Sequence, residues 1–369
     1  MNRERMSQLM NRAARIAFRG HGAVEPGCMV GAVVTDAAGN LVSEGRYTHF
    51  GGPHAEHIAL MKAGETARGG TLLVTLEPCN HQGKTPPCTG AVIQSGIKRV
   101  IHACHDPNEL ASGGTQTLLN AGIEVIHHPT RSTRLLNAPH IHRTRNQLPW
   151  IIAKWAQTLD GRIATRNGSS KWISSERSRR LVHRERGRVD AIFTGIGTVL
   201  ADDPMLTART LHRPRRIAER VVIDDELQTP RSAQLITTAE KVPTSIYCKA
   251  ELIETPLAEQ LRSAGVRIAA IPPEGGLRAL IQAESFAQKW STILVESGGG
   301  LMGRLFKENL INAALVFTSP RLMGDESAPG PLRGFTPDSV DAAIELDPIF
   351  CLQRKPDLIS AFQTGETAD

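Results

Sequence analysis

The chain has 369 residues, of which 40% are hydrophobic, 22% charged and only 4% aromatic, and its formal net charge is +6. This length admits two separately packed domains, while the scarcity of aromatics argues against a single-strand nucleic-acid platform, which stacks bases on rings. No apolar run nears the roughly 18 residues that span a bilayer, no apolar core of a secretory signal follows Arg3, Glu4 and Arg5, and six cysteines are too few for a disulfide scaffold, so a reduced, cytoplasmic protein is expected.

Met6, Leu9, Met10, Ala13, Ile16 and Ala17 recur at helical spacing, which predicts an opening amphipathic helix. Apolar runs at Met29–Thr35, Thr71–Leu76, Arg99–Cys104 and Glu124–Ile126 read as strands. Between them, Ala55–Ala63, Thr89–Ser95 and Thr115–Ala121 read as helices. The alternation predicts an α/β unit with a largely parallel sheet, since parallel strands covered on both faces are continuously apolar. From about Arg131 to Pro149 the sequence is polar and without a clear period, so the domain boundary is placed there, giving domains 1–146 and 147–369. A second α/β series follows, with strands at Trp150–Trp155, Ala191–Thr194, Arg220–Ile223, Ser245–Tyr247, Val266–Ala270, Thr292–Glu296 and Ala313–Phe317. Residues 203–216 and 319–337 are rich in Pro, Arg and Gly and read as loops.

Chemistry enters with His54-Ala55-Glu56 at the start of a predicted helix, followed by Cys79 after a strand and Cys88 beyond a loop. One imidazole and two thiolates form a three-ligand zinc set that leaves a tetrahedral position for water, whose pKa the metal lowers toward neutrality. Glu56 is then the general acid–base that carries the proton from water to a ring nitrogen and on to ammonia. This is the H-x-E…P-C arrangement of the zinc nucleobase deaminases. His81, in the connecting loop, is a rival ligand. A purely structural zinc takes four protein ligands and has no use for Glu56.

The spacing is wider than the common two-residue form: Asn80 through Pro87 separate the cysteines. The run Thr75-Leu76-Glu77-Pro78-Cys79-Asn80-His81-Gln82-Gly83-Lys84-Thr85-Pro86-Pro87-Cys88 resembles the bifunctional riboflavin biosynthesis proteins of the RibD family, and Asp106-Pro107-Asn108 with Gly113 resembles its next loop. The resemblance implies a cytidine-deaminase-like three-layer α/β/α domain acting on a phosphorylated diaminopyrimidine, with Lys84, Thr85 and Asn108 holding the substrate. Two stretches depart from the family pattern. Pro26-Gly27-Cys28 stands where Pro-Asn-Pro is usual, and Tyr47 where a His is usual. Both positions are expected to face the pyrimidine, which leaves a runner-up reading: a reductase-dominant homologue whose deaminase half is weakened or acts on another base.

The second half continues the resemblance through Lys154–Arg162, Trp172–Ser175, Arg186–Ile192 and Gly195–Pro204. It implies a dihydrofolate-reductase-like domain using NADPH. Arg186 and Arg209 suit a phosphate, since guanidinium grips it with paired hydrogen bonds, and the resemblance singles out both with Ser170, Leu206 and Glu296 as substrate contacts. After the strand ending in Val295, the glycines of Glu296–Gly303 let backbone N–H groups approach a phosphate at a helix N-terminus, although a plain turn has the same composition. By resemblance, Gly298, Gly299, Gly300, Leu301, Met302, Gly303 and Arg304 form the NADPH loop, and Ala156, Trp172, Thr198, Asp202 and Asp225 are further cofactor contacts. Lys154 or water is left open as the proton donor. A phosphorylated pyrimidine, no nucleic acid, no membrane and a homo-oligomer complete the expectation.

Overall fold

In the computed structural model, which describes residues 1–83, 85–209 and 214–365, the chain forms two compact units. One spans Met1–Gln147 and the other begins at Leu148.

In the first unit, Asn2 caps α1 (Arg3–Ala17) by accepting the Arg5 N–H at 2.9 Å. Next come β1 (Gly31–Thr35), β2 (Leu41–Arg46), α2 (Ala55–Ala63), β3 (Thr71–Val74), α3 (Cys88–Gln94), β4 (Arg99–His102), α4 (Gly114–Asn120) and β5 (Glu124–His127). The strands lie in the order β2-β1-β3-β4-β5. Successive strand residues face opposite sides. Ala32, Val34, Leu72, Val74 and Val100 pack with Ala55 and Ala59 of α2, whereas Val33, Leu73 and Ile101 pack with Leu9, Met10 and Ala13 of α1. Two helical layers therefore sandwich one sheet.

The sheet is mixed, which corrects the expectation of a largely parallel one. β3, β4 and β5 are parallel, but β1 pairs antiparallel with both β2 and β3. β1 is buried throughout because helices cover both its faces, not because its neighbours run parallel. β2 carries no apolar alternation. Its inward positions are Ser43, whose hydroxyl donates to the Ala59 carbonyl at 2.6 Å, and Gly45, where a Cβ would lie 2.1 Å from the Ala55 carbonyl oxygen. α2 packs too closely for larger side chains there.

The polar stretch in which the domain boundary was placed forms a helix, α5 (Arg131–Asn146), opened by a capping box between Thr130 and Thr133. Its buried face uses Thr133 and Asn137 as well as Leu136, and Asn137 donates to the Thr75 carbonyl at 2.7 Å. Burial through hydrogen bonds hides the helix from an apolar-period search.

The second unit contains β6 (Trp150–Thr158), α6 (Glu176–Arg186), β7 (Ala191–Gly195), α7 (Ile196–Asp202), β8 (Glu219–Ile223), α8 (Gln234–Thr237) and β9 (Thr244–Cys248). It continues with α9 (Pro256–Ser263), β10 (Arg267–Ala270), α10 (Gly276–Gln288), β11 (Thr292–Val295), α11 (Gly299–Lys307), β12 (Ala313–Ser319), β13 (Leu346–Arg354) and β14 (Asp357–Thr364). The nine strands lie in the order β10-β9-β8-β7-β11-β6-β12-β14-β13. All neighbours from β10 to β12 are parallel, and β14 pairs antiparallel with β12 and β13. The terminal hairpin was not anticipated. Pro348 and a register shift between Pro348 and Phe350 interrupt β13, and its edge position leaves it largely exposed. Asp357, at the start of β14, accepts hydrogen bonds from the Ser175 N–H and the Ser178 hydroxyl, fixing the hairpin to the N-terminus of α6. No helix among the described residues is long and apolar enough to cross a membrane.

Candidate active sites

His54 is the N-cap of α2, but its ring makes no capping hydrogen bond. Its Nδ1 lies 3.4 Å from Cys79 Sγ and 3.3 Å from Cys88 Sγ. Cys79 follows β3, Cys88 opens α3, and the Cys88 N–H donates to Cys79 Sγ at 3.4 Å. One ligand atom from each of the three residues falls within 4.8 Å of the others. The Cys88 thiol, by hydrogen bonding, and then His54 hold the Cys79 thiol down at about 4, despite burial, while the same bond and burial push Cys88 up. Two sulfurs crowding one imidazole nitrogen suit a borderline-soft cation with open tetrahedral coordination, so the donor set fits zinc. His81 is outside the cluster; its buried Nδ1 has no hydrogen-bond partner.

Glu56 lies in the first turn of α2 and is only 3% exposed. Burial raises its pKa, His54 pulls the other way, and Cys88 is within hydrogen-bonding reach. A carboxyl disposed to hold a proton thus stands beside the three donors. Thr85 Oγ1 lies 3.3 Å from His54 Nε2, so its described contact is to the imidazole. Asn108 sits in a turn, its N–H bonded to Asp106 and its side chain accepting the Leu110 N–H. Lys84 lies outside the described residues. Sequence reasoning missed His140 and Arg143 of α5, since that stretch was read as polar and without a period. His140 Nε2 is 3.4 Å from Asp106 Oδ1, and Arg143 donates to the Pro26 carbonyl.

The second site lies at the carboxyl ends of parallel strands, where open α/β sheets bind ligands. The register pairs Val295 with Ala153, which sets Glu296 beside Lys154. Arg186, the last residue of α6, grips Glu296 with two bonds of 2.6 and 3.0 Å, and Lys154 Nζ approaches the same carboxylate at 3.4 Å. Burial opposes the charge on Glu296, but Arg186 and Lys154 outweigh it and hold the carboxyl at about 2. Burial pushes Lys154 down although Glu296 pulls it up. Arg209 is largely exposed; partial desolvation and then repulsion from Arg186 push its guanidinium down. Its N–H donates to His183 Nδ1 at 3.3 Å.

The glycine turn begins right after Glu296. α11 has Gly298 at its N-cap with no side-chain cap, and the Gly298 N–H donates to Thr198 Oγ1 at 2.9 Å. The glycines differ in purpose. A Cβ on Gly303 would lie 1.9 Å from the Arg333 carbonyl oxygen, so that glycine serves packing, whereas a Cβ on Gly300 would meet nothing within 4 Å. An open backbone at a helix start fits a dinucleotide phosphate. Leu301, Met302 and Leu206 are buried, so their side chains belong to the core and only their backbone can meet a ligand. Leu206 also has a left-handed φ of 48°. Ser170 donates to Asp202 at 2.9 Å, and Asp225 pairs with Arg304 at 3.4 Å. Trp172 is 58% exposed, with the Arg179 guanidinium 4.3 Å above its ring. Ala156 lies in β6.

Comparison with known proteins reads both sites together. The cytidine and deoxycytidylate deaminase zinc-binding region matches residues 3–104, and the RibD C-terminal domain matches residues 149–350. The riboflavin biosynthesis protein RibD of Aquifex aeolicus is 40% identical over 337 residues, 90% of this chain and 92% of the relative. The chain belongs to the RibD family. The Escherichia coli RibD protein is 35% identical over 342 residues, covering 86% of this chain and 88% of the relative. Among solved structures, the Thermotoga maritima diaminohydroxyphosphoribosylaminopyrimidine deaminase/5-amino-6-(5-phosphoribosylamino)uracil reductase has a TM-score of 0.83 at 30% identity, covering 98% of this chain and 99% of the other. One form of Acinetobacter baumannii RibD has a TM-score of 0.82 at 31% identity, covering 99% and 100%. This RibD chain is a bifunctional enzyme of riboflavin biosynthesis, a zinc-dependent deaminase followed by an NADPH-dependent reductase, with a small pyrimidine as substrate.

Proposed function

We propose that the two units act in succession on 2,5-diamino-6-(5-phosphoribosylamino)pyrimidin-4-one, first releasing one amino group as ammonia and then reducing the ribosyl group to ribityl. The observation that carries the deaminase step is Glu56, only 3% exposed and held beside the His54, Cys79 and Cys88 donors. Zinc supplies a hydroxide at neutral pH when bound by these three residues. Glu56 takes a proton from the water and passes it to the ring nitrogen, then takes the proton of the newly added hydroxyl as the carbonyl forms and gives it to the leaving amine, which departs as ammonia. Thr85 and Asn108, with Lys84, hold the substrate at this site.

In the reductase, NADPH supplies the hydride. The turn from Gly298 to Arg304 holds its phosphates, with Thr198, Asp202, Asp225, Trp172 and Ala156 as further contacts. Arg186, Arg209, Ser170, the Leu206 backbone and Glu296 hold the phosphorylated sugar. Domains 1–146 and 147–369 carry the two activities. All six cysteines are free thiols, which supports a reducing cytoplasm. The exposed Phe350, Leu352 and Leu358 of the terminal hairpin support a homo-oligomer, and the scarcity of aromatics supports a small-molecule substrate over nucleic acid.

The test gives purified enzyme the diamino compound with and without NADPH and follows ammonia and NADPH separately. Ammonia is expected in both cases, and NADPH oxidation only after it. Ammonia from another base but none from the diamino compound would end this reading.

A further inference from the structure

We propose that Gly27 and Tyr47 act as one unit that sets the wall of the deaminase site beside His54, with Tyr47 a positioning residue acting through that imidazole. The proposal rests on the reading of the first unit as a deaminase. Tyr47 is 7% exposed, and its ring meets the His54 ring edge-on, with centroids 5.5 Å apart and planes at 86°. Its hydroxyl oxygen accepts the Gly51 N–H at 2.7 Å, and its own N–H donates to the Val30 carbonyl at 3.0 Å. The hydroxyl is therefore tied to the turn that precedes His54, and the Tyr47 backbone to the lead into β1.

Space, not backbone angle, makes position 27 a glycine. A Cβ there would lie 2.9 Å from the Val24 carbonyl oxygen, 3.1 Å from Tyr47 Cε1 and 3.4 Å from Phe50 Cδ2. The Gly27 N–H already bonds the Val24 carbonyl at 2.9 Å, and Arg143 ties down the neighbouring Pro26 carbonyl, so the loop has little room to retreat. A side chain at 27 drives the Tyr47 ring toward His54. The next residue, Cys28, packs against the core beneath α1, where burial pushes its thiol up to about 12 and the Asp106 and Glu56 carboxylates push the same way. The wall is thus a tyrosine ring fitted to a missing side chain, and neither residue works without the other.

The experiment is a double-mutant cycle on the full-length zinc enzyme, read as kcat and KM for ammonia release from the diamino compound. Gly27→Ala and Tyr47→Ala are each expected to raise KM by about tenfold, and the double variant to fall well short of their product, as coupled neighbours do. Tyr47→Phe keeps the ring and should stay within about threefold of wild type, since it loses only one neutral hydrogen bond. Far-UV circular dichroism and calorimetry report on folding of the first unit. If Gly27→Ala does not fold, the contrast between Tyr47→Ala and Tyr47→Phe decides. Multiplicative effects, an unchanged KM in Tyr47→Ala, or a Tyr47→Phe as damaged as Tyr47→Ala overturns the proposal. Wild-type enzyme that releases no ammonia would instead sink the deaminase reading itself.

Discussion

Each unit buries one glutamate in its site, and the two surroundings drive these carboxyls in opposite directions. Glu56 meets burial with one imidazole and two sulfurs nearby, and its pKa rises. Glu296 meets burial with Arg186 and Lys154, and its pKa falls to about 2. Burial alone therefore sets no charge state; the cations within reach decide. The first glutamate is suited to exchange a proton with water. The second stays an anion at neutral pH and holds Arg186 and Lys154 in place at the substrate site.

The largest effect expected from this contrast is on the first glutamate. Glu56→Gln should retain zinc and lower deamination by roughly 10²–10⁴-fold, the usual contribution of a positioned general acid–base. It should not destabilise the fold, because a neutral amide avoids the desolvation that raises the carboxyl's pKa. Reduction of the deaminated compound should be unchanged. Metal analysis, calorimetry and the two separate assays check these points, and deamination at the wild-type rate would remove Glu56 from the mechanism.

Glu296→Gln should do the reverse and act on stability. Its folded pKa of about 2 lies below the ordinary 4.5, so its stabilisation is full above pH 4.5 and is lost as pH falls toward 2. Such a shift corresponds to about 3 kcal/mol, an upper figure because the desolvation that pushes Lys154 down offsets part of it. All four tryptophans lie in the second unit, so their fluorescence reports its unfolding alone. The gap in stability between variant and wild type should be wide at pH 7 and nearly closed near pH 2. An equal gap at both would refute the ionic account.

The two arginines sharpen the contrast within one site. Arg186 is committed to Glu296, whereas Arg209 is exposed. Arg209→Ala is expected to raise the reductase KM by roughly tenfold or more, as the loss of a charged hydrogen bond worth about 1.5–3 kcal/mol implies, and to leave Tm unchanged. Arg186→Ala should raise KM and lower Tm together, since Glu296 loses its main partner. If both variants leave KM unchanged, the phosphate is held elsewhere.

The sequence exposed these sites unevenly, for physical reasons. His54, Glu56, Cys79 and Cys88 were legible because metal chemistry demands those residue types, and the fold brings three of their donors within 4.8 Å. Most strands were legible as apolar runs, since helices cover both faces of each sheet. β2 and α5 were not, because Ser43, Gly45 and Asn137 bury themselves by close approach or hydrogen bonding, without apolar bulk. Nor was the pairing of Gly27 with Tyr47. A glycine kept for want of space looks in sequence like any turn, and only the distance to the Tyr47 ring reveals the constraint.

The smallest expected effect concerns Thr85, which the family resemblance gives to the substrate but whose hydroxyl lies 3.3 Å from His54 Nε2. The same ring directs Nδ1 at Cys79 and Cys88. If Nε2 carries the proton and donates it to Thr85, the Nδ1 lone pair is left facing the sulfurs, as a metal ligand requires. Thr85→Val keeps the shape and removes this bond, which is neutral and worth about 0.5–1.5 kcal/mol. Zinc affinity should therefore fall by up to about tenfold, measured by competition with a chromophoric chelator. With zinc saturating, deamination should return to nearly the wild-type rate with an unchanged KM. A raised KM at normal zinc affinity would place the hydroxyl on the substrate instead and leave His54 to be oriented by the Tyr47 ring alone.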